Sequence, residues 1–459
     1  MKKMITKETE VKQLVEWDKK HFLHPTSNPK EGATTGPSII FSEGKGVYVK
    51  NAIDGEQYLD AMSMLWNVNL GHGHQELAKA GSEQLASLAC TSSFKGFSNE
   101  PAIQLAEKLA SITPGDLNTV FYTSGGSESN DTALKLARFY WGLKGKSEKR
   151  NFIALNKAYH GVTMAAQTAT GIPTFNEFAG SNIDGVFHAE AHLLNCELGD
   201  QDDPNYANSI RGIIEREGAD TIAGIILEPV QGAGGVNMPP EGYLQAVRDI
   251  CDEFNILFLA DEVICGFGRT GKMFGVDNWQ VTPDMMSIAK GLTSGYAQLG
   301  GVMMNEEIRQ TFANYDGVLS HGFTYSGHPT ACAIGLKNIE IIERDNILEN
   351  VKNMEIEMKK GLDYLQQKYP FVTKSRSLGL LSAFELYEDP ATEKLFESRV
   401  FPANTVVNES FKQKLIVRAV GAHNQGIAIA PPLNINKQEI EDIFERMDAA
   451  LTAFQKKIK

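Results

Sequence analysis

The stretch FLADEVICGFGRTGKMF, residues 258–274, joins an apolar strand to two carboxylates and a glycine-rich loop. Its spacing from Gly266 to Lys272 is similar to that of a nucleotide-binding loop. Such a loop needs Ser or Thr after its lysine to hold Mg²⁺, and a helix must begin there so that its amides face the phosphates. Met273 follows instead, and the next residues have no amphipathic period. The pattern predicts an irregular loop, so the two carboxylates are the better clue to function.

Short apolar runs alternate with helical segments on both sides of this stretch. The runs are TVFYT (119–123), NFIAL (151–155), IAGIIL (222–227), ILFLA (256–260) and GGVMM (300–304). Near-continuous apolar strands that alternate with helices predict an α/β fold, with a mostly parallel central sheet covered by helices on both faces. Ligands of such sheets bind beyond the carboxyl ends of the strands.

The two ends of the chain differ from this pattern. Residues 1–65 combine a helix with short strands around a turn at Asp54, and we expect this N-terminal segment to pack with the small domain. Residues 66–330 form the expected large domain. Residues 331–459 contain long helices, three strand-like runs and a last amphipathic helix from Lys437, which predicts a smaller α+β C-terminal domain.

Composition limits the classes of partner. The 459 residues are 42% apolar and carry a net charge of −13 at pH 7, which favours a globular protein and argues against binding nucleic acid or an anionic membrane through bulk charge. Five widely spaced cysteines without a CxxC pair favour a reducing compartment. With no signal or transit pattern at the N-terminus, we expect the cytoplasm. His72 and His74 lack a third ligand at a fitting spacing, so we expect a turn there and no metal.

Polar groups follow several predicted strands at the ligand edge of the sheet. After TVFYT, Ser124–Ser127 lead into a helix, and glycines beside the free amides of a helix start favour a phosphate. A plain tight turn capped by Ser127 explains the same residues. Asp261 and Glu262 follow a buried strand, where a carboxylate needs a cationic or donating partner; an ordinary internal salt bridge is the alternative.

Lys290 follows another apolar run, in PDMMSIAKGL. Its amine either snorkels to solvent or is desolvated, and a desolvated amine becomes a nucleophile toward carbonyls. A phosphate cradle, a buried acid and a buried amine at different strand ends together suit pyridoxal 5′-phosphate, whose phosphate, ring nitrogen and aldehyde each need a different group.

The chain resembles the class III pyridoxal-phosphate-dependent aminotransferases, and within them the ω-amino acid and amine:pyruvate transaminase branch. The resemblance covers nearly the whole chain and rests on MLWNVNLGHGH (64–74), AYHGVT (158–163), EPVQGAGG (228–235), ADEVICGFGRTG (260–271), SIAKGL (287–292), HGFTYSGHP (321–329) and RAVG (418–421). It implies fold type I, pyridoxal phosphate as cofactor, and a homodimer or tetramer with shared active sites.

The resemblance assigns Lys290 as the Schiff-base lysine and Asp261 as the partner of the pyridinium nitrogen. Val263 and Tyr159 are expected to pack against the two ring faces, with His160 beside the ring. These five residues would hold the reacting part of the cofactor.

Other residues match the family's phosphate site. Gly126 and Ser127 match the phosphate loop, although Gly125 stands where relatives commonly have Ser, so one side-chain donor is missing. Thr324 matches the threonine that reaches the phosphate of the neighbouring subunit's cofactor.

The substrate pocket is implied less fully. Trp66 and Phe94 resemble the aromatic residues of the family's pockets, and Arg418 matches the mobile arginine that pairs with a substrate carboxylate. Glu228 is expected to support this polar network. Gln231 stands where a methionine is expected in this branch, and in this it resembles the ornithine and γ-aminobutyrate aminotransferases. The identity of the amino donor therefore stays open.

The resulting hypothesis is a ping-pong aminotransferase that passes nitrogen from an amine or ω-amino acid to pyruvate or another 2-oxo acid. Other class III activities stay open, namely taurine, γ-aminobutyrate, diamine or 8-amino-7-oxononanoate aminotransferases. An aminomutase or decarboxylase of the same fold is a further alternative. From another class, a nucleotide-dependent kinase or ATPase would use the 266–272 loop.

Overall fold

The computed structural model describes residues 8–180, 182–421 and 423–458, and the strands in these ranges form three sheets. The strands are β1 Phe41–Lys45, β2 Tyr48–Asn51, β3 Gln57–Asp60, β4 Thr119–Thr123, β5 Asn151–Leu155, β6 Val186–Ala189, β7 Ile222–Leu227, β8 Leu257–Asp261, β9 Met285–Ile288, β10 Gly300–Met304, β11 Val372–Leu378, β12 Leu381–Leu386, β13 Leu415–Ile416, β14 Arg418–Val420 and β15 Gly426–Ile429.

Helices precede, separate and follow these strands. They are α1 Glu8–His21, α2 Pro29–Thr35, α3 Ser63–Trp66, α4 Gln75–Ser87, α5 Glu100–Ile112, α6 Gly126–Leu143, α7 Met164–Ala169, α8 Pro173–Asn176, α9 Leu194–Glu197, α10 Ile210–Glu217, α11 Tyr243–Phe254, α12 Glu306–Ala313, α13 Pro329–Arg344, α14 Ile347–Lys368, α15 Pro402–Lys412 and α16 Lys437–Ile458.

The central sheet has the strand order β4-β10-β9-β8-β7-β5-β6. β10 runs antiparallel to β4 and β9, whereas the other neighbouring pairs are parallel. The predicted α/β fold with a mostly parallel sheet is therefore confirmed. Four of the predicted apolar runs coincide with β4, β5, β7 and β10, and the fifth is β8 shifted by one residue. The sequence pattern does not predict β6, because VFHA is short and His188 interrupts its apolar character.

Both faces of this sheet are buried. Ile225 and Phe258 belong to one apolar cluster, together with Val247 of α11, while their chain neighbours Ile226 and Leu259 belong to a second cluster with α6. The alternation follows from the pleat of a strand, which points successive side chains to opposite faces. Because helices cover both faces, side chains on either side of a strand are buried, which explains the near-continuous apolar runs.

Two smaller sheets lie outside the central one. The sheet β11-β12-β15-β14 is antiparallel and forms the C-terminal sheet domain with α13–α16 nearby in the chain. The other has the order β1-β2-β3-β13, in which Leu415 of β13 pairs in parallel with Leu59 of β3. A late segment of the chain thus completes a sheet begun near its start. Within the described ranges, no helix combines the length and apolar character needed to cross a membrane.

Candidate active site

One cavity of about 610 Å³ lies at the carboxyl ends of the parallel strands. We call the residues that follow the strands its floor: Gly126, Ser127 and Asn130 after β4, Tyr159, His160, Gly161 and Val162 after β5, Glu228 and Ala233 after β7, Asp261, Val263 and Ile264 at the end of β8, and Lys290 after β9. The remaining lining residues form its rim: Pro25, Thr26, Leu65, Trp66, Phe175 and Arg418. The cavity is therefore at the edge where parallel sheets bind ligands.

Asp261 is buried at 3% exposure, and three donors hold it. Its Oδ2 accepts from Asn130 Nδ2 at 2.7 Å and pairs with His160 Nδ1 at 2.8 Å, while its Oδ1 accepts from the amide of Val263 at 3.0 Å. Asn130 also donates to the carbonyl of His160 at 2.7 Å. The carboxyl group and the imidazole are thus fixed in position as one unit at the cavity.

Lys290 begins the turn after β9 with a left-handed backbone, at a φ of 42°. Burial lowers the pKa of its amine from 10.5 to about 8, although the nearby carboxyl groups of Asp261 and Glu228 oppose the shift. An amine with this pKa is unprotonated in an appreciable fraction near neutral pH, so it can attack a carbonyl or accept a proton.

Glu228 is buried directly after β7. Its Oε1 accepts from the amide of Tyr159 and its Oε2 from the amide of Gly232, both at 2.9 Å. Burial raises its pKa from 4.5 to about 7, against the opposing effect of His160. The side chain therefore links the strand ends of β5 and β7, and its charge changes near neutral pH.

The first turn of α6 faces the cavity at Gly126 and Ser127. A Cβ at Gly126 would lie 2.8 Å from Cγ1 of Val263, so only glycine allows the helix start to approach β8 this closely. Ser127 Oγ accepts from the amide of Val162 at 3.2 Å. The start of an 18-residue helix offers free amides and its positive dipole end, which suit an anionic group.

The rim carries aromatic rings and one cation. The guanidinium carbon of Arg418 lies 5.3 Å from the centroid of the Trp66 ring, and Lys290 Nζ lies 5.7 Å from it. Arg418 forms no salt bridge with the residues that the structure describes. Tyr159 packs edge-on against Phe175, with ring centroids 5.2 Å apart. The rim thus places a guanidinium group without a carboxylate partner beside aromatic walls.

Four of the residues that the family resemblance points to lie outside this lining. Gly125 caps α6 in an extended conformation. Gln231 lines a separate cavity and donates to the carbonyl of Asn156 at 2.9 Å. Phe94 is 50% exposed, and Thr324 is also exposed.

Several lining residues were not anticipated. Asn130 stands on the second turn of α6, and polar side chains in a helix give no signal of what they contact. Pro25, Thr26 and Phe175 come from segments far away in the chain, so only the folded structure could bring them to the cavity.

The glycine-rich loop after β8 does not line the cavity. Gly266–Gly271 are buried, while Lys272 is exposed. Arg269, in its middle, is fully buried and donates to four groups of other segments. The loop therefore packs in the interior, and none of the residues 266–272 lines the cavity.

The residues of the cavity fit pyridoxal phosphate. The helix start suits its phosphate, the carboxyl group of Asp261 suits its ring nitrogen, the amine of Lys290 suits its aldehyde, and Tyr159 and Val263 offer faces for the ring. His160 Nε2 and Asn130 Oδ1 are buried without a hydrogen-bond partner in the described chain. Each of these atoms beside Asp261 can therefore still form a hydrogen bond with a bound group. Among the described residues, no group of three or more His, Cys, Asp or Glu side chains could hold a metal ion.

Comparisons with known proteins show which chains and folds this one is similar to. The family model "Aminotransferase class-III" matches residues 30–451. The chain is 37% identical to a putrescine–pyruvate aminotransferase of Pseudomonas aeruginosa, over 92% of each chain. A solved transaminase from the marine bacterium Virgibacillus has a TM-score of 0.93 at 46% identity, covering 97% of this chain and 100% of the other. A thermostable (S)-enantioselective omega-transaminase from Thermomicrobium roseum has a TM-score of 0.90 at 40% identity, covering 96% and 98%.

Proposed function

The chain belongs to the class-III aminotransferases, and we propose that it transfers nitrogen from an amine or ω-amino acid to pyruvate or another 2-oxo acid in a ping-pong reaction. The observation that carries this proposal is the single cavity in which Lys290, Asp261 and the start of α6 meet. The omega-transaminase neighbour supports an amine donor, and the putrescine–pyruvate relative supports pyruvate as acceptor.

We propose that Lys290 is both the attachment point of the cofactor and the acid–base group. Pyridoxal phosphate, when bound, supplies an electron-withdrawing ring that stabilises negative charge at the substrate carbon. Once substrate has released Lys290, its Nζ takes the proton from the substrate carbon and later returns a proton. Its pKa of about 8 suits both the uptake and the return of the proton, because proton transfer is most effective when the pKa lies near the working pH.

Asp261 stabilises positive charge on the ring nitrogen in this proposal. Asn130 and His160 orient its Oδ2, while Oδ1 has a single donor, the amide of Val263. A carboxylate has about four lone-pair sites, so the group can accept a further charged hydrogen bond. Tyr159 and Val263 hold the ring from its faces, and the start of α6 with Ser127 holds the phosphate.

Arg418 binds the substrate carboxylate in this proposal. Its guanidinium group is half-buried, lines the cavity and has no salt-bridge partner in the described chain, so it is available for a bidentate contact. An amine substrate without a carboxylate group requires the guanidinium group to move aside. We propose that this movement lets the site accept substrates with and without a carboxylate group.

We propose a homodimer with shared sites, in which Thr324 reaches the partner's cofactor phosphate and Phe94 the partner's substrate pocket. The two segments that carry these residues are in contact, since Ser93 Oγ donates to the carbonyl of Ser326 at 2.8 Å. Both segments expose large apolar side chains, among them Phe94 and Tyr325. Exposed apolar patches of this kind mark interaction surfaces.

Subunit mixing tests the shared site. Lys290→Ala and Thr324→Ala dimers are each prepared, unfolded together and refolded. If sites are shared, the mixed dimer contains one site with both residues intact, and activity exceeds that of either parent. A mixture no more active than its parents contradicts the sharing.

A donor panel tests the reaction itself. Putrescine, β-alanine, taurine and 1-phenylethylamine are each supplied with pyruvate or 2-oxoglutarate. Stoichiometric alanine or glutamate is expected for at least one donor. Consumption of a donor without amino-acid formation would instead indicate an aminomutase or decarboxylase. The buried 266–271 loop gives no support to a kinase or ATPase.

The domain bounds 1–65, 66–330 and 331–459 remain part of the proposal. The same is true of the cytoplasm as the site of action, which the five free cysteines favour.

A further inference from the structure

The segment Asp60–Asn69, which we call the Trp66 turn, carries an unusual backbone. Ser63, Met64 and Trp66 have positive φ values of 47°, 58° and 59°. Residues other than glycine hold this conformation only where the surrounding structure enforces it. The conformation places the Trp66 ring on the cavity, close to both cations of the site.

Asp60 holds the turn from one side. It is fully buried at 0% exposure, and its Oδ1 accepts from the amides of Met62 and Met64 at 3.1 Å each. Its Oδ2 pairs with His72 Nε2 at 2.9 Å. The carboxyl group thereby fixes the amides on either side of Ser63, where the left-handed backbone begins.

Arg269 holds the turn from the other side. Its Nη2 donates to Ser63 Oγ and to Asn69 Oδ1, both at 3.0 Å. Its Nη1 donates to the carbonyls of Leu380 and Pro431 in the C-terminal part of the chain, at 3.0 and 2.6 Å. One guanidinium group therefore ties Ser63 and Asn69 of the turn to two segments of the C-terminal part, and this gives the glycine-rich loop a role.

Neither Asp60 nor Arg269 lines the cavity. We propose that these two residues are positioning residues for carboxylate recognition, and that they act by fixing the Trp66 ring against which the guanidinium group of Arg418 packs. The inference rests on the proposed function for the role of Arg418 as the carboxylate-binding group. A guanidinium group stacked on an indole gains orientation from it, so displacement of the ring costs carboxylate affinity.

The test measures binding of butanoate, a carboxylate without an amine, to the holoenzyme by calorimetry. Asp60→Asn keeps the size of the side chain. Arg269→Lys keeps the charge but replaces the planar guanidinium group, which donates from two nitrogens, with a single ammonium group. Each is expected to weaken butanoate binding roughly five- to tenfold, the effect of one displaced polar contact. In a Trp66→Ala background the same two substitutions are expected to change butanoate affinity by less than about twofold. The effects of substitutions are not additive when one residue acts through another.

Lys149→Met is the matched control. Lys149 is another buried cation, and it donates to the carbonyls of Ala219, Ile222 and Asn255 at the opposite end of β7. It is expected to lower the melting temperature and leave butanoate binding unchanged.

Three outcomes would overturn the inference in distinguishable ways. If Asp60→Asn and Arg269→Lys lower the melting temperature but bind butanoate like the wild type, their role is structural only, and the proposed function stands. If their effects persist undiminished without the Trp66 ring, they do not act through it. If the wild-type holoenzyme and Arg418→Ala bind butanoate equally, the proposed role of Arg418 fails together with the inference.

Discussion

The floor and the rim of the cavity are built in different ways. The floor residues Asp261, Glu228 and Lys290 stand at the ends of buried strands or within two residues of them, so the hydrogen bonds of the sheet fix their spacing. The rim residues Trp66 and Arg418 come from segments that meet only in the folded chain. In the proposed function, the floor serves chemistry that needs fixed positions, while the rim serves substrate recognition and can vary with the substrate.

The largest expected effect is on the floor. Lys290→Ala should reduce turnover by at least about 10²- to 10⁴-fold, because it removes the proposed acid–base group and the proposed attachment point of the cofactor. Steady-state rates and gel filtration check this, since the protein should still fold. Lys272→Ala, at an exposed lysine, is the control and should keep its activity. Turnover at the wild-type rate in Lys290→Ala would remove the distinction between floor and rim.

Asp261→Asn should weaken cofactor binding roughly 100-fold or more, because it would break the proposed charge pair between Asp261 and the ring nitrogen of the cofactor. Breaking a buried charge pair costs about 3–5 kcal/mol. Absorbance titration of the cofactor-free protein measures the affinity. Asp284→Asn is the control, since Asp284 pairs with Arg248 at 2.9 Å before β9 begins, and it should lose stability but keep cofactor affinity. Equal affinity in Asp261→Asn and the wild type would exclude Asp261 as the partner of the ring nitrogen.

At the rim, Arg418→Ala should change selectivity more than chemistry. Loss of a charged hydrogen bond costs about 1.5–3 kcal/mol, so kcat/KM for carboxylated substrates should fall roughly 10- to 100-fold. Neutral amines serve as the internal control and should keep or improve their rates. A parallel loss for both kinds of substrate would contradict a carboxylate-binding role.

The smallest expected effect is a shift in the pH dependence of the rate of cofactor uptake. An amine captures an aldehyde only when unprotonated, so the rate of cofactor uptake by the cofactor-free protein should rise with pH and level off above the pKa of Lys290, about 8. Because Asp261 raises that pKa, Asp261→Asn should move the midpoint to lower pH. Stopped-flow absorbance measures both curves. A midpoint that stays near the ordinary value of 10.5 would show that Lys290 is not desolvated.

The sequence predicts the floor better than the rim for the same physical reason. A strand buried on both faces leaves a continuous apolar run, so the polar residue after it is conspicuous, as at Asp261 and Lys290. Pro25, Thr26 and Phe175 carry no such signal, since tertiary contacts alone bring them to the cavity. The glycine-rich loop has the spacing of a phosphate-binding loop, but its buried Arg269 ties separate segments together.

The most direct test of the account is to identify the residue that bears the cofactor. Purified protein is incubated with pyridoxal phosphate, reduced with borohydride, digested and analysed by mass spectrometry. The account predicts a single pyridoxyl group on the peptide that contains Lys290, and none there in Lys290→Ala. A pyridoxyl group on another lysine, with Lys290 unmodified, would contradict it.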